Sequence, residues 1–171
     1  MSLIAHELIH LSLSLLSGYL AWQISGNPYT FAFGLIGGFF VDVDHLIDYF
    51  LAFKFKWNLS YFLKGYQFLK SDKIYVFFHS WELSITLLLI SIYFVLNSTS
   101  FTDLTSSTNL TGFALAYFFH LLFDSLINHL RPLSYFLIYR AFHNFNLKNL
   151  VTSKHYQEHL LQKRLVTFPS N

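Results

Sequence analysis

Two apolar stretches of membrane-span length carry acids and histidines inside them, and that pairing restricts the fold of this chain more than anything else in it. Leu35 to Phe53 is almost wholly apolar yet contains Asp42, Asp44, His45 and Asp48. Gly112 to Leu130 is similar and contains His120, Asp124 and His129. An ionisable group at the centre of a bilayer costs roughly 3 kcal/mol or more, so such groups turn toward a shared polar interior and mark function there. Carboxylates with imidazoles are also the ligand set of a borderline divalent cation.

Composition supports hydrocarbon as part of the solvent. Only 12% of the residues are charged, against about 25% in soluble domains. The chain has 21 Phe and 11 Tyr among 171 residues, more than a soluble core of this size needs and consistent with lipid-facing surface. A net charge of +2 is too small to point to nucleic acid. The absence of Cys removes disulfides, thiolate zinc sites and thiol nucleophiles together, so any metal is held by His, Asp, Glu or backbone oxygen. The first residues lack a basic n-region and a small-residue cleavage site, and His6, Glu7 and His10 interrupt the apolar run. They read as a retained first helix.

The pattern predicts an all-α integral membrane bundle of about four transmembrane helices. The spans are Leu8 to Ile24, ended by Ser25-Gly26-Asn27-Pro28; Tyr29 to Phe53, with Gly34, Gly37 and Gly38 for close helix approach; Ile74 to Leu96; and Leu110 to Leu130, closed by Arg131-Pro132. Residues 1–132 form the metal-site domain, and residues 133–171 a short interfacial and cytoplasmic helical tail, with Tyr135 to Phe145 as an interfacial helix. Lys54, Lys56, Lys64, Lys70 and Lys73 face one acid, Asp72, in one loop, whereas Asn97 to Asn109 is a Ser/Thr-rich loop without Lys or Arg. The positive-inside rule therefore predicts a protein of the inner membrane with both termini cytoplasmic.

With this topology the ionisable residues of all four spans fall at similar depth, toward the cytoplasmic side. At 100° per residue Asp44, His45 and Asp48 share one arc of the second span. His120 with Asp124, and His6 with His10, are i, i+4 pairs on one helix face. A centre drawing on His10, on Asp44 or Asp42, on His79, and on His120 or Asp124 suits a four-helix bundle, and a metal there lowers the pKa of bound water toward about 7. His6 and Glu7 read as interfacial, and His129, His143, His155 and His159 as an exposed surface.

Taken in order, His10, Gly37-Gly38 leading to Val41-Asp42-Val43-Asp44-His45, His79-Ser80, and His120-Leu121-Leu122-Phe123-Asp124 resemble the membrane-bound metal-dependent hydrolases. These small inner-membrane proteins have a loose motif similarity to zinc-dependent phospholipase C. The likeness runs from about residue 6 to residue 132. Val41 stands where that family has Pro, and Ile74 where the first His of its paired-histidine segment would fall. The resemblance implies a membrane-embedded hydrolase of phosphoester or lipid-like substrates, using a divalent metal, Zn with Mn and Fe as alternatives. The expected metal ligands are His10, Asp44, His45, His79, His120 and Asp124, and the expected catalytic residues are Asp48, as general base, and Asp42. Membrane lipid and an amphiphilic phosphoester are the expected partners, and nucleic acid is not. The rival reading is a non-catalytic membrane protein that binds metal or handles ions with the same cluster.

Overall fold

The computed structural model describes residues 3–168. The first two residues of the 1–132 domain and the last three of the tail therefore lie outside the described residues. The described chain is helical: α1 (Leu3–Ser25), α2 (Tyr29–Phe40), α3 (Val43–Phe53), α4 (Leu59–Leu63), α5 (Tyr66–Ser71), α6 (Trp81–Leu96), α7 (Phe101–Ile127), a 3₁₀ turn at Pro132–Tyr135, α8 (Leu137–Phe142), α9 (Leu147–Leu150) and α10 (Ser153–Leu165). Among the described residues there are no strands, and the β pairing is confined to the isolated bridges Lys73–Asn146 and Leu130–Val151. The helices sort into two compact units that interleave along the chain. One runs to Asp42 and resumes over Ser80–Leu126; the other comprises Val43–His79 and Ile127 onward.

In the first unit α1, α2 and the body of α7 pack through small residues, and α6 belongs to the same unit. A side chain at Gly34 would bring its Cβ to 2.5 Å from the Cα of Gly18, and one at Gly37 would collide with the carbonyl oxygen of Phe113. Such contacts let backbones approach closely without a hydrophobic driving force between the helices. The turn between α1 and α2 is fixed to α7 by Asn27, whose amide donates to Asn109 Oδ1 at 2.9 Å and Thr108 Oγ1 at 3.2 Å. Leu15, Leu16, Ile36, Leu89 and Phe94 face outward.

Two stretches are long and apolar enough to cross a membrane, Tyr29–Phe53 and Thr102–Ile127, and only 33% and 39% of their apolar windows are buried. Among the described residues those two meet the measure of length and composition, and of the expected spans the third departs most from its sequence bounds. It was expected over Ile74 to Leu96, but α6 begins at Trp81 and has 16 residues, about 24 Å at 1.5 Å per residue. That is shorter than the roughly 30 Å hydrocarbon core. The reason lies in the preceding backbone: the N–H groups of Tyr75, Val76, Phe78 and His79 bond to the carboxylates of Asp48 and Asp44. Helix begins only where Ser80 Oγ caps it by accepting Leu83 N–H. Val76 is held at a φ of 30°, which a β-branched residue adopts only under constraint.

The polar loop expected over Asn97 to Asn109 is also mostly helix, because α7 starts at Phe101. Its hydroxyls bond back to the preceding turn, Ser107 Oγ to Asp103 O at 2.6 Å and Thr111 Oγ1 to Ser107 O at 2.9 Å. The Ser/Thr content that reads as a loop thus satisfies itself within a helix. Asp103 N–H in turn donates to Ser100 Oγ at 3.1 Å.

In the second unit α3 lies on α5, and a core of Ile74, Val76, Leu147, Leu150 and Val151 is flanked by Phe68, Leu130, Tyr139 and Tyr156. Arg131 N–H and Ser134 Oγ both donate to Leu150 O, at 2.8 and 2.7 Å. The expected single helix over Tyr135 to Phe145 is instead the end of the 3₁₀ turn followed by α8. Asp72 anchors α10, accepting from His159 Nε2 at 2.9 Å and from Lys163 Nζ.

Candidate metal centre

The first unit brings His6 and His10 of α1, Asp42 at the end of α2, and His120 and Asp124 of α7 to one place. The two i, i+4 pairs put each couple on a single helix face. His10 Nε2 lies 2.9 Å from His6 Nε2 and 3.1 Å from Asp124 Oδ1, and His6 Nε2 lies 3.2 Å from the same oxygen. Ligand atoms about 2.0–2.2 Å from a zinc-sized ion are themselves roughly 3 Å apart, so this triangle of two nitrogens and one oxygen has the dimensions of a coordination face. Two imidazole lone pairs facing each other at that distance repel unless a proton or a cation lies between them.

The second oxygen of Asp124 faces the other way. His120 Nε2 is 3.5 Å from Asp124 Oδ2 and 3.5 Å from Asp42 Oδ1. The His120 ring stacks on His10, centroids 3.8 Å apart and planes at 22°, and Phe123 lies against both His6 and His10. His10 Nδ1 is buried and makes no hydrogen bond. His10, His120 and Asp124 are buried, whereas the side chains of His6 and Asp42 keep 19% and 28% exposure. His6 and Asp42 are thus the members of the group that reach the surface.

The second unit holds Asp44, His45, Asp48 and His79. Asp44 and Asp48 sit one turn apart on the buried face of α3. Asp44 Oδ1 is 3.0 Å from His79 Nδ1, while its Oδ2 accepts the N–H groups of Phe78 at 2.7 Å and His79 at 3.2 Å. Donation from Nδ1 makes Nε2 the lone-pair nitrogen of His79, the arrangement by which a carboxylate orients a metal-binding imidazole. The rings of His45 and His79 are 4.8 Å apart, and Asp44, His45 and His79 have the mutual reach to hold a metal ion, as do His6, His10 and Asp124. Asp48 accepts from Tyr75 N–H at 3.1 Å and Val76 N–H at 3.4 Å. Arg140 of α8 is fully buried, and its positive charge, like the negative charge of Asp44, reaches Asp48 electrostatically.

Every residue expected in the site thus lies among those named above, and Asp42 and Asp44 fall in different units although one residue separates them. Two participants escaped the sequence reading. His6 was assigned to the interface, yet its i, i+4 spacing from His10 was the available signal. Arg140 is not among the residues the sequence singles out, though a single base within Leu137-Ile138-Tyr139-Arg140-Ala141-Phe142 is itself an anomaly. His159, read as exposed surface, is buried on Asp72. No family model, curated protein or solved structure matches the chain, so functional argument rests on the geometry and on the motifs themselves.

Proposed function

We propose that the chain is an integral membrane protein of about four spanning helices that holds a divalent metal, zinc by preference, and hydrolyses a phosphoester of an amphiphilic molecule. The observation that carries this reading is the triangle of His6 Nε2, His10 Nε2 and Asp124 Oδ1, with edges of 2.9 to 3.2 Å, at the end of helices whose outer faces are apolar. When bound, such a metal acts as a Lewis acid that activates water and polarises a phosphoryl oxygen. His6, His10 and Asp124 would hold it, and Asp42 and His120 would bind beside it. His120, whose Nε2 lies 3.5 Å from a carboxylate oxygen of Asp42 and of Asp124, is suited to proton transfer at the open side of the group. In the second unit Asp44 orients His79 and His45 stands next to it, a further set of donors. Nitrogen and carboxylate donors of this kind also accept manganese or iron.

The charge pattern supports an orientation with both termini in the cytoplasm and the site at the inner-membrane surface. Cysteines introduced by Ser60→Cys and Thr99→Cys and probed with an impermeant reagent on intact cells test it: Thr99→Cys reacts and Ser60→Cys does not. The reverse pattern overturns the orientation. For the function, detergent-purified protein is analysed for metal and assayed with phosphomonoesters, phosphodiesters and phospholipids. Bound metal and metal-dependent turnover are expected, and both fall with Asp124→Ala. Metal bound without turnover on any of them favours a second reading, a non-catalytic metal-binding membrane protein. The four backbone N–H groups held by Asp44 and Asp48 favour it to this extent, since they give those carboxylates a structural task.

A further inference from the structure

Neither metal group uses the segment that follows α3. The helix ends at Phe53, and residues 54–64 contain Lys54, Lys56 and Lys64 with no acid among them. Lys54 and Phe55 both take left-handed backbone conformations, with φ of 51° and 63°, which turns the chain sharply. The turn is built, not slack. Tyr49, buried on α3, accepts Asn58 N–H at 2.7 Å and donates to Lys56 O at 3.1 Å, and Asn58 Oδ1 then caps α4 by accepting Tyr61 N–H at 3.1 Å.

On this frame Phe50 stacks on Phe55 with centroids 5.3 Å apart, and Trp57 contacts Phe50 at 5.9 Å and Phe62 at 5.6 Å. The cluster remains open to its surroundings, Phe55 being 82% and Trp57 53% exposed, with Leu51, Leu59 and Leu63 exposed beside them. All three lysines are exposed as well. A large ordered apolar patch of this kind marks a binding surface. Its composition, aromatic and leucine side chains rimmed by positive charge, is complementary to a bilayer interface bearing negative headgroups.

Chain continuity points the same way. Phe53 closes the Tyr29–Phe53 stretch, and Trp57 follows four residues later, within about 14 Å of it at full extension. We infer that this turn seats in the headgroup layer and binds anionic phospholipids, with Phe55, Trp57, Leu59 and Leu63 entering the acyl boundary and Lys54, Lys56 and Lys64 engaging phosphate groups. The inference rests on the membrane reading proposed above and is independent of the metal.

The test uses the full chain with Trp22→Phe and Trp81→Phe, so that Trp57 is the sole tryptophan, reconstituted in mixed phosphatidylcholine and phosphatidylglycerol vesicles. One lipid at a time carries brominated chains. Both quench Trp57 fluorescence, and brominated phosphatidylglycerol does so in excess of its share of the bilayer, each Lys favouring anionic lipid by roughly fivefold. The excess shrinks as salt is raised. Combining Lys54→Gln, Lys56→Gln and Lys64→Gln removes the excess but keeps the quenching by brominated phosphatidylcholine, with helix content unchanged. Equal quenching by the two lipids in the unsubstituted turn overturns recognition of anionic headgroups. No quenching by either, in protein that resists carbonate extraction, overturns the inference while the membrane reading stands and leaves the patch to an acidic protein partner. Release by carbonate overturns both.

Discussion

The Nε2 of His10 lies 3.1 Å from Oδ1 of Asp124, although 114 residues of chain separate them. His6 Nε2 closes on both atoms, so loss of any one of the three breaks the same triangle of candidate ligand atoms. His10→Ala, Asp124→Ala and His6→Ala are each expected to weaken metal binding by more than the roughly 10–100-fold that removal of an outer-shell partner costs. Metal content after dialysis against a graded chelator checks this. His155→Ala, a substitution in the second unit outside both groups, is expected to leave metal content unchanged.

Asp44 and Asp48 occupy equivalent positions one turn apart but hold different things, and their isosteric variants separate them. Asp44→Asn alters the acceptor of His79 Nδ1 and is expected to lower metal affinity by about 10–100-fold. Asp48→Asn turns one acceptor into a donor facing the N–H of Tyr75 or Val76. Its expected effect is a loss of about 1–3 kcal/mol of stability with metal affinity retained. Thermal unfolding in detergent and metal titration, run on both variants, distinguish the two outcomes.

Arg140 is fully buried and acts on Asp48 across the second unit. Arg140→Met keeps an extended apolar side chain but removes the positive charge that acts, with Asp44, on buried Asp48, and leaving a buried charge less compensated destabilises. A fall in unfolding temperature is expected, partly relieved by the double variant with Asp48→Asn. Full additivity of the two substitutions would show that the residues are not coupled.

Asp72 gives the pH dependence. Burial raises its pKa, but the hydrogen bonds from Lys163 and His159 outweigh this and hold it below the usual carboxylate value. A group depressed in the folded state contributes stability that is present above its unfolded pKa and is lost as pH falls through its folded pKa. The contribution of Asp72 is therefore complete near neutrality and fades below about pH 4. Hydrogen exchange in α10 is expected to be faster in Asp72→Asn than in the unsubstituted protein at pH 6. The two should converge, in relative protection, as the pH is taken to the acid side of the carboxylate range.

Helical class and candidate chemistry were readable from linear pattern because both are local. Apolar runs with glycine at close approaches define closely packed helices, and the i, i+4 pairs His6/His10, Asp44/Asp48 and His120/Asp124 follow from 3.6 residues per turn alone. Residues 75–79 could not be read this way. Their apolar character continues that of α6, but their N–H groups found stronger acceptors in two carboxylates some 30 residues earlier, and only the tertiary fold brings those acceptors within reach. For the same reason Asn97 to Asn109 misled: hydroxyls that signal a loop can satisfy themselves by bonding back along a helix, and Asn27 then holds that helix in place. Which histidines meet which acids depends on the packing of α1 against α7 and of α3 against the segment before α6. Those contacts join residues tens to more than a hundred positions apart, and sequence spacing carries no record of them.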